Sequence, residues 1–127
     1  MINSNMAPQG MAVTPHHLAS ESALAVLREG GNAIEAMVAA AATIAVVYPH
    51  MNGLGGDGFW LIHEPGKQPV AINAAGVSAA QASAAWYQER NYSQIPSRGS
   101  AAALTMAGTV ASWQLALEIS EKWQAGI

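Results

Sequence analysis

The run from Ala33 to Val47, AIEAMVAAAATIAVV, limits what this chain can fold into more than any other feature. Read at helical spacing it is apolar nearly all round, broken only by Glu35 and Thr43. A helix without a polar face is buried on every side. The segment therefore predicts a central helix lying on a sheet, with its alanines permitting close approach. Asn32, with Glu35 three residues later, forms the pattern of a capping box, and Pro49 stops the helix. The longest apolar stretch, Ala36 to Tyr48, is too short for a membrane span, which takes about 20 residues.

The elements around this helix follow from local signals. Gly10-Met-Ala-Val13 predicts a short strand. Thr14-Pro15 reads as an N-cap followed by proline at the first helical position. The helix after it carries Leu18, Ala19, Ala23, Leu24, Val26 and Leu27 on one side, and Gly30-Gly31 supplies the left-handed residue that ends it. Phe59-Trp-Leu-Ile-His63 reads as a buried strand. Glu64-Pro-Gly-Lys67 is a turn, and Pro69-Val-Ala-Ile-Asn73 is the second strand of a hairpin. Further helices are expected over Ala79 to Arg90 and Thr109 to Trp123, and a strand over Ala101 to Met106. The last helix presents Val110, Trp113, Leu115, Leu117 and Ile119 against Glu118, Glu121 and Lys122. Strands and helices in this order predict an α/β chain of layered α+β type, with helices on an antiparallel or mixed sheet.

Composition separates function classes. The chain of 127 residues is 51% hydrophobic and 10% charged, whereas soluble domains average about 25% charged residues. So thin a charge, with tryptophan at positions 60, 86, 113 and 123, is expected of a chain that packs against further polypeptide. The stop at Gly126-Ile127, directly after a helix, reads as a cut. Net charge is −3 and the five basic residues are scattered, so nothing neutralises a row of phosphates and nucleic acid is not an expected partner. The absence of cysteine removes disulfides, thiol catalysis and Cys-based zinc sites. The amino terminus has neither a basic nor an apolar leader region, and the expected location is the cytoplasm, away from membranes.

Candidate chemistry is sparse. Gly53-x-Gly55-Gly56-x-Gly58 superficially resembles a nucleotide-binding loop. Such loops need a strand before and a helix after, so that helix N–H groups face the phosphate. Here the order is helix, glycines, strand, so Gly53, Gly55 and Gly56 read as a structural turn that lets helix and strand approach closely. His16, His17, His50 and His63 show no metal-ligand spacing on one helix face, and neither a metal nor a cofactor is expected. No Gly-x-Ser-x-Gly elbow is present. A threonine that uses its own amine as base must begin a chain, and this one begins Met-Ile.

Taken together, several segments resemble the γ-glutamyltransferase family. Gly10-Met-Ala-Val-Thr-Pro-His-His-Leu-Ala19 is similar to its opening. Gly30-Gly-Asn-Ala-Ile-Glu-Ala36 with the alanine helix and Pro49-His50 resembles its most recognisable run. Gly53-Leu-Gly-Gly-Asp-Gly-Phe59 is similar to its glycine turn. Arg98-Gly99 and Thr105-Met-Ala-Gly-Thr-Val110 resemble the segment leading into its next helix. The likeness runs in order from Gly10 to Leu117.

That resemblance implies an N-terminal-nucleophile hydrolase with an αββα sandwich, of which residues 1–127 would be an incomplete domain at the front of the large subunit. Such proteins are precursors that cut themselves, and the new amino-terminal threonine of the small subunit attacks an amide to form an acyl-enzyme. The nucleophile is then expected beyond Ile127. The partners would be the rest of the large subunit, the small subunit and a small amide substrate. Family members that act on γ-glutamyl groups hold the substrate carboxylate with an arginine shortly after the second hairpin strand. Here Ala75 or Val77 takes its place, which removes a bidentate carboxylate partner. The departure favours the amidohydrolase branch, which includes enzymes for small amides such as oxamate, over a γ-glutamyltranspeptidase acting on glutathione-like substrates. Arg98 is the candidate replacement carboxylate binder. A non-catalytic binding module on the same scaffold is the alternative from a different class.

Overall fold

The computed structural model describes residues 6–102 and 105–124. Its elements are α1 (His17–Arg28), α2 (Ala33–Val47), β1 (Gly58–Ile62), β2 (Val70–Ala74), α3 (Ala84–Gln88) and α4 (Thr109–Gln124). They fall into two compact units. One comprises the described residues up to Gly53 with those from Trp113 onward, and the other is Leu54–Ser112. The division falls in α4, after its first turn.

In the first unit α1 and α2 form a helical hairpin cored by alanine. Ala19 and Ala23 of α1 and Ala36 and Ala40 of α2 are 2% exposed or less, with Ala12, Val26, Leu27 and Ile44 packed around them. Each pair is spaced four residues apart, which puts both members on one face, and methyl-sized side chains let the backbones approach. Four buried methyl groups contribute about 3 kcal/mol at roughly 0.8 kcal/mol each. Thr43 Oγ1 adds a cross-helix hydrogen bond to Ser22 Oγ at 2.8 Å.

The link between these helices is as the sequence predicts. Gly30 takes φ +94°, its N–H bonds to Leu27 O, and the Gly31 N–H bonds to Val26 O, the double closure of a Schellman motif. Asn32 then caps α2: its Oδ1 accepts from the N–H groups of Ile34 and Glu35, while Glu35 Oε2 accepts from the Asn32 N–H at 2.9 Å. Helix α2 ends at Val47, with Tyr48 as its C-cap, before Pro49.

Other expectations for this unit fail, for identifiable reasons. The strand at Gly10–Val13 is absent, because the unit offers no described strand for it to pair with. The cap of α1 is His16, whose Nδ1 accepts from the Leu18 N–H at 3.3 Å. Thr14 instead donates to His16 O and pairs with Ser20 Oγ, and Pro15 lies before the helix. Helix α2 is not buried all round: Ile34, Ala36 and Ala40 are buried, but Met37 is 41% and Val46 78% exposed. Its own unit holds only helices among the described residues, so no sheet there covers its second face.

The second unit contains an antiparallel hairpin in which Gly58 pairs with Ala74, Trp60 with Ile72 and Ile62 with Val70. Both strands lie within a residue of their expected positions. The turn between them holds Gly66 at φ +80°, and the Lys67 N–H bonds to Glu64 O at 3.0 Å. Strand β1 alternates: Ile62 is buried, whereas Phe59 and Leu61 are 69% and 78% exposed. A two-stranded sheet has one covered face here, so the fully buried strand read from the apolar run is only half realised.

Helix α3 has five residues instead of the twelve expected. Ser83 supplies its cap, accepting from the Trp86 N–H at 3.2 Å, and Ala79–Ala82 is a separate turn. Asn91, at φ +60°, follows the helix. The strand expected over Ala101 to Met106 is absent at its described positions, and residues 103 and 104 lie outside the described set.

Helix α4 forms where expected, but its buried face differs. Ser112, Ala116 and Ser120 are 2% exposed or less, while Val110 and Leu115 are 52% and 48% exposed. Small side chains at four-residue spacing face inward, and the hydroxyls are hydrogen-bonded, as burial of polar groups requires. The chain is thus a mixed α/β protein with a two-stranded antiparallel sheet.

Candidate functional site

Three segments that are far apart in sequence converge in the second unit: the end of the glycine turn, the exit from β2, and the approach to α4. The Gly56 carbonyl accepts from the Gly108 N–H at 3.0 Å, the Thr109 N–H at 3.1 Å and Thr109 Oγ1 at 2.8 Å. Thr109 Oγ1 also lies 3.1 Å from Asp57 O. Asp57 Oδ1 accepts from the Gly76 N–H at 3.0 Å, and the Met106 N–H bonds to Val77 O at 3.0 Å. Beneath them, Trp60 Nε1 donates to Ser112 Oγ at 3.0 Å, and Ser112 Oγ donates to Thr109 O.

Glycine is required where these segments touch. A Cβ on Gly76 would collide with the Met106 backbone, one on Gly108 with the Ala74 carbonyl, and one on Gly58 with Ser112. At Gly53, Gly55 and Gly56 a Cβ would meet nothing within 4 Å, and none of the three has positive φ. Of the glycines in the run Gly53-x-Gly55-Gly56-x-Gly58, Gly58 is the one held in close approach, and Gly76 and Gly108 join it from the other two segments.

This geometry limits the chemistry. The Gly108 and Thr109 N–H groups at the start of α4 bond to the Gly56 carbonyl, so these two are not presented to an anion. The hydroxyls of Thr109 and Ser112 are committed to carbonyl oxygens, and no described imidazole or carboxylate hydrogen-bonds to either. The cluster positions backbone; it does not activate a nucleophile.

The other sequence candidates are dispersed. Ala75 and Val77 flank Gly76 on the exposed exit from β2, with Val77 68% exposed. Arg98 is exposed beside Gly99, which has φ +88°, and no hydrogen bond or ion pair ties it to the glycine turn. His16, His17 and His50 gather about Tyr48 in the first unit, with ring centroids 4.6 Å apart for His16–His17 and 4.2 Å for Tyr48–His50. No group of three His, Cys, Asp or Glu that could hold a metal occurs among the described residues. None of their helices is long and apolar enough to cross a membrane.

Sequence reasoning missed a small cavity of about 130 Å³ lined by Ser78, Gln81, Trp86, Tyr87 and Ser100. Trp86 also carries Arg90, whose guanidinium carbon lies 4.1 Å from the ring centroid. The only cue in the sequence was the density of small residues around two aromatics. Ser112 was missed for another reason. It reads as an ordinary helix residue until Gly58 and Trp60 are placed against it.

The two segments that meet at Gly56 and Thr109 are also segments on which the family likeness rests. A sequence model described as gamma-glutamyltranspeptidase matches residues 19–120. The chain belongs to the gamma-glutamyltranspeptidase family.

Within that family it is 63% identical over 120 residues to the oxamate amidohydrolase proenzyme of Klebsiella pneumoniae, covering 94% of this chain. It is 34% identical over 114 residues to the glutathione hydrolase proenzyme of Escherichia coli, covering 88% of this chain. The crystal structure of the γ-glutamyltranspeptidase of Helicobacter pylori matches with a TM-score of 0.78 at 32% identity, over 91% of this chain and 34% of that one. The chain spans about a fifth of the curated relatives, 22% of the Klebsiella and 20% of the Escherichia protein.

Proposed function

We propose that this chain is the front of the large subunit of a self-processing amidohydrolase that acts on a small amide of the oxamate type. The observation that carries the reading is the 63% identity to the oxamate amidohydrolase proenzyme, against 34% to a glutathione hydrolase of the same family. The sequence after β2 supports it. Ala75 or Val77 stands where γ-glutamyl enzymes of the family are expected to carry a carboxylate-clamping arginine.

In this reading the complete protein is an N-terminal-nucleophile hydrolase of αββα type. A threonine released beyond Ile127 by self-cleavage attacks the amide carbon, and its own α-amine, which titrates near neutrality, takes the hydroxyl proton. Water then resolves the acyl-enzyme. The contribution of the present chain is to hold the glycine turn against α4 and to leave the carboxylate position free of a guanidinium. Arg98 remains the candidate substitute for it. The same reading places the protein in the cytoplasm, where cell fractionation would find it.

The test is to express the full reading frame, follow its cleavage into two subunits, and compare turnover of oxamate with that of a γ-glutamyl anilide. Cleavage with preferential oxamate hydrolysis is expected. Preferential γ-glutamyl turnover would overturn the substrate assignment, and a precursor that never cleaves would overturn the mechanism.

A further inference from the structure

Asn52 and Gly53 form an Asn-Gly pair on the segment between α2 and β1, and both residues are exposed. Neither the Asn52 side chain nor the Gly53 N–H makes a hydrogen bond with a described residue, and a Cβ at Gly53 would meet nothing within 4 Å. We propose that Asn52 is a site of spontaneous backbone-assisted deamidation, a covalent modification that the fold leaves open here and that hydrogen bonds or a bulkier following residue disfavour at the other described asparagines.

The chemistry needs only this chain and water. The Gly53 nitrogen loses its proton and attacks Asn52 Cγ. The bond from Cγ to the side-chain nitrogen breaks, that nitrogen leaves as ammonia, and a five-membered imide closes. Water adds to one of its two carbonyls and the ring bond from that carbon to the Gly53 nitrogen breaks, the nitrogen regaining a proton, which gives either an aspartate or an isoaspartate linkage. Glycine as the following residue matters because no Cβ hinders the approach of its nitrogen. Freedom of the segment matters because the attacking geometry differs from that of a folded helix or strand.

The other described asparagines supply the contrast. Asn32 precedes Ala33, its Oδ1 accepts two N–H bonds and its Nδ2 donates to Ser120 Oγ. Asn73 lies in β2 before Ala74, with Oδ1 accepting from the Ala75 N–H at 3.0 Å. Asn91 precedes the bulky Tyr92. The related pair Asp57-Gly58 is held at both residues: Asp57 accepts from the Gly76 N–H, and Gly58 is wedged against Ser112 in β1. Product formation adds one negative charge to a chain of net charge −3, on the turn that leads to the bonded Gly56 carbonyl.

The experiment ages the intact folded protein at mildly alkaline pH beside a sample unfolded in urea. Peptides are then mapped by mass spectrometry with isoaspartate-specific methyl labelling. Conversion is expected first at the Asn52-Gly53 peptide, at a similar rate in both samples, while Asn32 and Asn73 convert only after unfolding. The variant Gly53→Ala, which has room for its methyl group, is expected to slow conversion on the order of tenfold. Protection of Asn52 in the folded sample, or conversion as fast at Asn32, Asn73 or Asn91, would overturn the proposal.

Discussion

Asn32 and Ser120 are 88 residues apart in sequence, and Asn32 Nδ2 donates to Ser120 Oγ across 2.6 Å. The same asparagine caps α2 through its Oδ1, and Ser120 Oγ donates onward to Glu35 Oε1 at 3.3 Å. A local capping box is thereby tied to the buried face of a helix near the other end of the described chain.

Replacing Asn32 tests that double use. Asn32→Ala loses the cap and leaves Ser120 without its donor, and is expected to cost about 2 kcal/mol in urea unfolding. Asn32→Asp keeps the cap but supplies no donor and sets a carboxylate close to Glu35, so it is expected to recover only part of the loss. An Asp variant as stable as the parent would show that the bond to Ser120 contributes nothing.

Glycine replacements divide the turn from its supports. Gly76→Ala and Gly108→Ala drive a methyl group into backbone and are expected to destabilise by more than about 2 kcal/mol or to prevent folding. Gly55→Ala is expected to change stability by less than about 0.5 kcal/mol. Thermal melts of the three variants decide it, and a severe Gly55→Ala defect would contradict the geometry.

Thr109→Val removes the hydroxyl that binds Gly56 O but leaves two N–H donors on that carbonyl. A loss of about 1 kcal/mol is expected, restored by Thr109→Ser. Hydrogen exchange at Gly108 and Thr109 should quicken in the valine variant and return in the serine variant.

His16 is an uncommon helix cap, with a bond of 3.3 Å to the Leu18 N–H. His16→Asp places a carboxylate at the positive end of α1 and offers a better acceptor, so it is expected to raise stability by about 0.5 to 1 kcal/mol. His16→Ala is expected to lower it. A destabilised aspartate variant would indicate that stacking of His16 on His17 outweighs the cap.

What the sequence disclosed divides along chain distance. The capping box at Asn32, the end of α1 at Gly30 and the hairpin around Gly66 depend on residues within about five positions, and all three appear as read. The strand at Gly10–Val13 needed a partner that its unit does not offer. The inward face of α4 was misjudged because Ser112 and Ser120 are buried on account of Trp60 and Asn32, more than fifty positions away. Within the glycine run only Gly58 is tight, because the contacts that demand it lie about fifty residues on, at Thr109 and Ser112. The family likeness was legible because it rests on the order of motifs and needs no contact.

The alanine seam between α1 and α2 has a consequence for how that unit responds to heat and to substitution. Alanine has no side-chain torsion to freeze, so forming the seam costs no rotamer entropy. Its separation is set by the two backbones, leaving no side chain that can swing aside. Enlarging Ala19, Ala23, Ala36 or Ala40 must move a whole helix, while shrinking one to glycine costs about 1 kcal/mol of helix propensity besides the buried methyl. The seam is a ruler fixed at one length, and closed to addition.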